Sequence, residues 1–245
     1  MREVSARPER QEPGLELLAY YREMMGRLGP QGWWPARTRL EVIVGAILTQ
    51  NTSWENAAKG IRGLRRAGLL NWQALRRVSQ PKLQGAIRAA GFYRQKAQTI
   101  RNFLLWLHRS YGGSLRRMFA EPAETLRQEL LGVKGLGPET VDAVLLYAGG
   151  KPFFVADAYT RRILARHEFI SPQAGYATAQ EFLHRYLPAD AGLFNESHAL
   201  FVEVGKRFCK RSSADCAACP LESWLPGRAE PRAAARHLRG DRAEG

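Results

Sequence analysis

Three groups of residues in this chain have the types and spacing for chemistry. Asp157 follows the apolar run PFFVA and opens the helical pattern AYTRRILARH. Aspartate there is a preferred helix N-cap that would accept the amide of Thr160, and the same carboxylate is placed to stabilise a positive sugar intermediate. The second group is the glycine-punctuated stretch 130–137, with Gly132, Gly135 and Gly137. Glycine tolerates the positive φ of a tight hairpin, and the amides of Lys134, Gly135, Leu136 and Gly137 at the start of a following helix make an anion site. Lys134 beside them points to a phosphate of a nucleic-acid backbone. An ordinary helix connection with capping glycines is the other reading of the same residues. The third group is Cys209, Cys216 and Cys219, the only cysteines of the chain. An odd set crowded in this way is a poor disulfide framework and fits thiolate ligation of an iron-sulfur cluster or zinc.

These residues need elements to hold them. Helical periodicity predicts one helix at about 124–131 and a second starting near Pro138, with Val141, Val144, Leu145 and Ala148 on one face. Upstream, residues 15–28 read as an amphipathic helix through Leu17, Leu18, Tyr21, Met24, Met25 and Leu28. Trp33 and Trp34 then pack a loop onto the core. Residues 40–50, LEVIVGAILTQ, read as a central buried helix that ends in Gln50, Asn51, Thr52 and Ser53. Thr52 and Ser53 suit the cap of a further helix from about Glu55 to Leu70, with Ile61 and Leu64 inward. One or two short helices occupy 71–90. Gly91 starts a turn, Lys96 opens a helix with Ile100, Phe103, Leu104 and Leu107 buried, and Arg94, Lys96 and Arg101 flank its exposed side. The only strand candidate is 153–155, so an all-α protein is expected.

Composition narrows the partner. The net charge of +14 and sequence pI of about 10.3 point to a polyanion, and most of the excess lies outside the Arg-bearing tail. No apolar run reaches membrane length and the first residues carry no signal-like hydrophobic core, so no membrane partner and a cytoplasmic, nucleoid-associated location are expected. Residues 1–14 and the stretch from about Pro226 read as disordered.

Together these motifs resemble the endonuclease III family of helix-hairpin-helix DNA glycosylases, from about residue 40 to 225. GLGPETVDAVLLYA looks like the family hairpin and second helix, VADAYTRRIL like the segment with its essential aspartate, GFYRQKA like its GxYxxKA turn, and the cysteine spacing like its cluster loop. The resemblance implies that Asp157 is the catalytic carboxylate, that Gln50 enters the DNA stack, and that Lys134 and Gly135 to Gly137 hold the phosphate backbone. It implies three of four ligands to a 4Fe-4S cluster in Cys209, Cys216 and Cys219. It implies two helical domains with double-stranded, damaged DNA across the cleft between them. Residues 31–150 would form a six-helix domain, 1–30 with 151–228 a terminal-segment domain, and 229–245 a disordered tail. A monomer is expected.

Two departures shape the expected chemistry. Glu139 stands where bifunctional members carry a lysine that forms a Schiff base with the sugar, so little or no lyase activity and a monofunctional, hydrolytic glycosylase are expected. Leu225 stands where a fourth cysteine belongs, so a three-cysteine cluster is expected, with Asp215 or Glu222 in reach of the open position. The ETVDA and QNTSW stretches are also similar to a bacterial 3-methyladenine glycosylase branch, in which a lysine props the fold in place of the cluster; Lys206 lies near that place. The alternatives are a DNA-binding or damage-binding protein with weakened chemistry on the same scaffold, and a zinc-binding structural protein.

Overall fold

The computed structural model describes residues 12–226. Among them are twelve helices and no strand. They gather into two compact units, one of residues 12–31, 156–188 and 196–226, the other of residues 32–155 and 189–195. Of the stretches read as disordered, residues 1–11 and 227–245 lie outside the described residues, whereas Pro13 and Gly14 begin the first helix. No helix among the described residues is long and apolar enough to cross a membrane.

The larger unit is built around α2 (Arg39–Leu48), every residue of which from Leu40 to Leu48 is buried. Thr38 starts it by accepting the Glu41 amide at 3.1 Å, the capping chemistry that satisfies an otherwise orphan donor. Helix α3 (Trp54–Arg66) is capped by Ser53 and lays Ala57, Ile61 and Leu64 into the core. Helices α4 (Trp72–Arg77), α5 (Gln80–Ala86) and α6 (Tyr93–Tyr111) follow, then α7 (Leu115–Ala120), α8 (Ala123–Leu131) and α9 (Pro138–Ala143). A wider π-type turn over Val144–Ala148 continues α9, and Val141, Val144, Leu145 and Ala148 are all buried. Residues 153–155 are buried and extended with no strand partner among the described residues, so they serve as core packing rather than sheet. Trp33, Trp34 and Trp54 form a ring cluster with Tyr147, centroids 4.6 Å apart for Trp33–Trp54, 5.2 Å for Trp34–Trp54 and 5.3 Å for Trp34–Tyr147.

Lys96 departs from expectation. The helix opens at Tyr93, which turns Lys96 inward; it is 2% exposed, and its Nζ donates to the carbonyls of Leu48 at 2.9 Å and Ala90 at 2.7 Å. The last carbonyls of a helix have no intrahelical partner, so a long cationic stem that reaches them becomes a core residue. Burial pulls its ammonium down to about 8. Arg101 is likewise committed inward, its Nη1 donating to the Leu75 and Arg76 carbonyls at 3.0 Å each.

The smaller unit contains α1 (Pro13–Leu28), α10 (Ala158–Arg166), α11 (Tyr176–Tyr186) and most of α12 (Ala191–Arg207), whose first turn belongs to the larger unit. Tyr20, absent from the predicted stripe of α1, is fully buried and places its hydroxyl 2.8 Å from His167 Nδ1.

Candidate nucleic-acid interface and carboxylate centre

The hairpin between α8 and α9 is fastened on two sides. Gly135 has φ of +100°, and a Cβ built on it would lie 2.3 Å from Thr99 Oγ1 of α6, so only glycine fits there without strain. Asn102 of α6 donates to the Lys134 carbonyl at 2.8 Å. On the other side, Gln50 Nε2 donates to the Gly135 carbonyl at 2.9 Å and to Thr140 Oγ1 at 3.0 Å. Gln50 thus ties the end of α2 to the hairpin. Gly137 differs from Gly135: its backbone is ordinary and a Cβ there would meet nothing within 4 Å, which leaves open space at the start of α9.

Of the four amides read from the sequence as facing a ligand, that of Leu136 turns inward. It donates to the Val133 carbonyl at 3.0 Å and its side chain is core. Leu136 therefore shapes the hairpin from within. Lys134 is exposed on its rim, and Glu139 is exposed in the first turn of α9, where a carboxylate complements the positive helix end.

A third turn is tied to the end of α2. Lys96 links the end of α2 to the turn at Ala90, and two residues on stands Phe92, 61% exposed in the left-handed region at φ of 46°. Asn51, beside Gln50, has φ of 50°. Non-glycine residues in this region are uncommon and collect at functional sites. Sequence reasoning passed over Phe92 because an aromatic in a helix-rich chain reads as core; the signal was Gly91 before it, which left the ring no helical face to occupy.

Asp157 lies in the smaller unit and caps α10. Its Oδ1 accepts the Thr160 amide at 2.8 Å, and its Oδ2 sits 3.6 Å from His198 Nε2 on α12. The side chain is 14% exposed. Burial is the largest influence on its acidity and pushes the pKa up, yet His198 and Thr160 together outweigh it and hold the carboxyl below the usual carboxylate range. The cap expectation and an ionised carboxylate therefore coexist in one side chain. His198 was not among the sequence candidates, since a lone histidine within an amphipathic helix carries no motif.

The three cysteines line one cavity of about 240 Å³ in the smaller unit, together with Asp215, Glu222 and Leu225. Arg166 Nη1 donates to Cys209 Sγ at 3.1 Å and the Leu221 amide approaches Cys219 Sγ at 3.4 Å. Burial, and after it the Cys209 and Cys216 thiols, push the Cys219 thiol up. Among the described residues no three His, Cys, Asp or Glu side chains converge on a point that could hold a single metal ion. The thiols surround a volume instead, with N–H donors aimed at two sulfurs. Three thiols with such donors are a set that an iron-sulfur cluster or zinc could use. Lys206 is exposed near the end of α12.

Gln50, Lys134, Gly135, Leu136, Gly137 and Glu139 thus lie in the larger unit, and Asp157, Cys209, Cys216 and Cys219 in the smaller. An all-helical chain with a glycine hairpin clamped between neighbouring helices is of the helix-hairpin-helix class. Comparison with known proteins makes this specific. Residues 44–189 match the HhH-GPD superfamily base excision DNA repair protein family. A Methanocaldococcus jannaschii protein provisionally named a DNA repair glycosylase is 42% identical over 83% of this chain and 93% of its own length. Endonuclease III of Thermotoga maritima is 30% identical over 74% of this chain and 80% of its own. Among solved structures, a trapped covalent endonuclease III-DNA intermediate shares the fold with a TM-score of 0.75, at 21% identity over 88% of this chain and 97% of that one. The H. pylori 3-methyladenine DNA glycosylase bound to 1,N6-ethenoadenine gives 0.70, at 26% identity over 80% and 98%. The chain belongs to the HhH-GPD superfamily of base excision DNA repair proteins.

Proposed function

We propose that this protein is a monofunctional DNA glycosylase that removes a damaged base from double-stranded DNA by hydrolysis. The observation that carries the reading is Asp157: a partly open carboxylate, fixed through one oxygen and kept ionised at a helix start, in a chain whose hairpin helix presents Glu139 in place of an amine. The hairpin amides with Lys134 would hold the phosphate backbone, and Gln50 with the outstanding ring of Phe92 would enter the base stack as apolar and polar wedges do. As the C1′–N bond breaks, its electron pair leaves with the base and positive charge develops on the sugar. Asp157 stabilises that charge, and water adds to C1′ while its proton passes to the carboxylate. Without an amine at position 139 no Schiff base forms. A cytoplasmic, nucleoid-associated monomer accompanies this reading.

The cysteine cavity would hold an iron-sulfur cluster on Cys209, Cys216 and Cys219, with Leu225 leaving the fourth corner to solvent, Asp215 or Glu222. A bound cluster would supply stability by cross-linking residues 209–219.

The test is a panel of duplex oligonucleotides, each with one lesion, that includes oxidised pyrimidines and alkylated purines. Strand cleavage appearing only after alkali, with no borohydride-trapped adduct, is the expected result. A robust trapped adduct overturns the monofunctional assignment. The second reading, a damage-binding protein with weakened chemistry, draws on Glu139 and Leu225. It would prevail if the wild type released no base faster than Asp157→Asn.

A further inference from the structure

The two carboxylate oxygens of Asp157 do different work. Oδ1 alone supplies the helix cap, at 2.8 Å from the Thr160 amide. Capping gives no role to the imidazole that faces Oδ2 at 3.6 Å. His198 is 9% exposed and sits in the body of the 17-residue helix α12, next to the buried Ser197, so its ring is placed by packing. Four other charges on these two helices are engaged elsewhere: Glu203 with Arg207, Glu196 with the Gln31 amide, Arg162 with the carbonyls of Cys209 and Gly205, and Arg166 with the Cys209 sulfur and the Lys210 carbonyl. Oδ2 is the oxygen left for the reaction, and His198 is what meets it.

We propose that His198 is the positioning residue of this centre: it orients Oδ2 of Asp157 and keeps the carboxylate charged while the sugar cation forms. This rests on the glycosylase reading above. In a poorly solvated site an imidazolium near a carboxylate acts more strongly than in water. The groups that hold Asp157 ionised against its burial are His198 and Thr160.

The test compares wild type with His198→Leu and His198→Gln on three readouts: the Asp157 titration followed by carbon-13 NMR of labelled carboxylates, single-turnover base release, and duplex Kd. In His198→Leu the Asp157 carboxyl should titrate at higher pH and base release should slow about tenfold, with Kd unchanged. His198→Gln, which keeps an N–H donor, should recover much of the rate without the wild-type pH profile. An unchanged Asp157 titration in a folded His198→Leu overturns the proposal, and so does a rate loss that merely follows a weakened Kd. If the wild type releases no base from any duplex, the glycosylase reading has failed, and the titration alone decides the coupling of His198 to Asp157.

Discussion

Gln50 and Gly135 are joined by a 2.9 Å hydrogen bond from a side-chain amide to a main-chain carbonyl. The bond makes the end of α2 and the hairpin one rigid piece, because Gly135 is also pinned against Thr99 and its neighbour Lys134 is held by Asn102. A second bond, to Thr140 Oγ1 at 3.0 Å, fixes the same side-chain nitrogen, so Gln50 holds a defined place beside the hairpin.

Gly135 and Gly137 should separate sharply on mutation. Gly135→Ala forces a side chain into positive φ and into Thr99, and should cost about 1–3 kcal/mol and weaken duplex binding. Gly137→Ala, in open space and ordinary backbone, should leave the melting temperature unchanged. Thermal melts of both variants decide it.

Asp157→Asn should slow base release by about 10²–10³-fold while the variant still folds, because asparagine caps a helix as well as aspartate and only the carboxylate's own contribution is lost. The sign of the pH effect follows from a folded pKa lower than the unfolded one. The carboxylate's contribution to stability is complete above about pH 4 and is lost only as the pH falls through the lower folded value. Wild-type melts between pH 7 and 5 should therefore show no loss traceable to Asp157, and the variant should show the same profile in that range.

Glu139→Lys should create what the wild type lacks. An amine in the first turn of α9 can attack C1′ as the base departs, so a borohydride-trapped adduct is expected from the variant alone. A trapped adduct of equal yield from the wild type would place the lyase amine elsewhere.

Lys96→Met should lower stability by roughly 2–4 kcal/mol, since the Leu48 and Ala90 carbonyls lose charge-assisted donors in the core. Because the same lysine links the turns bearing Gln50 and Phe92, duplex affinity should fall with it. Denaturant unfolding and a binding titration measure the two effects.

Purified protein should contain iron and acid-labile sulfide, and Cys216→Ser should lose both together with part of its thermal stability. Zinc without iron would overturn the cluster assignment.

Much of the fold was legible because its signals are local. Proline at the start of α9, the glycines before it, and Ser53 and Asp157 as caps each act within a turn of their own position. The apolar run of α2 could only be buried. What escaped reading depends on distant partners. Lys96 looked like surface until Leu48 and Ala90 offered it carbonyls; Leu136 looked like part of an anion cradle until its amide closed on Val133; His198 acquired meaning only beside Asp157. Phe92 shows the reverse case, an apolar residue that the turn at Gly91 keeps out of the core.

The placement of tryptophan gives the molecule a built-in optical division. Trp33, Trp34, Trp54, Trp72 and Trp106 all fall in the larger unit, three of them within one ring cluster, while Trp224 stands alone in the smaller. Intrinsic emission will therefore report mainly on residues 32–155, with exciton coupling between the clustered indoles visible in near-ultraviolet dichroism. A Trp224→Phe variant subtracts the other unit's signal, so the melting of each half can be followed without an attached dye.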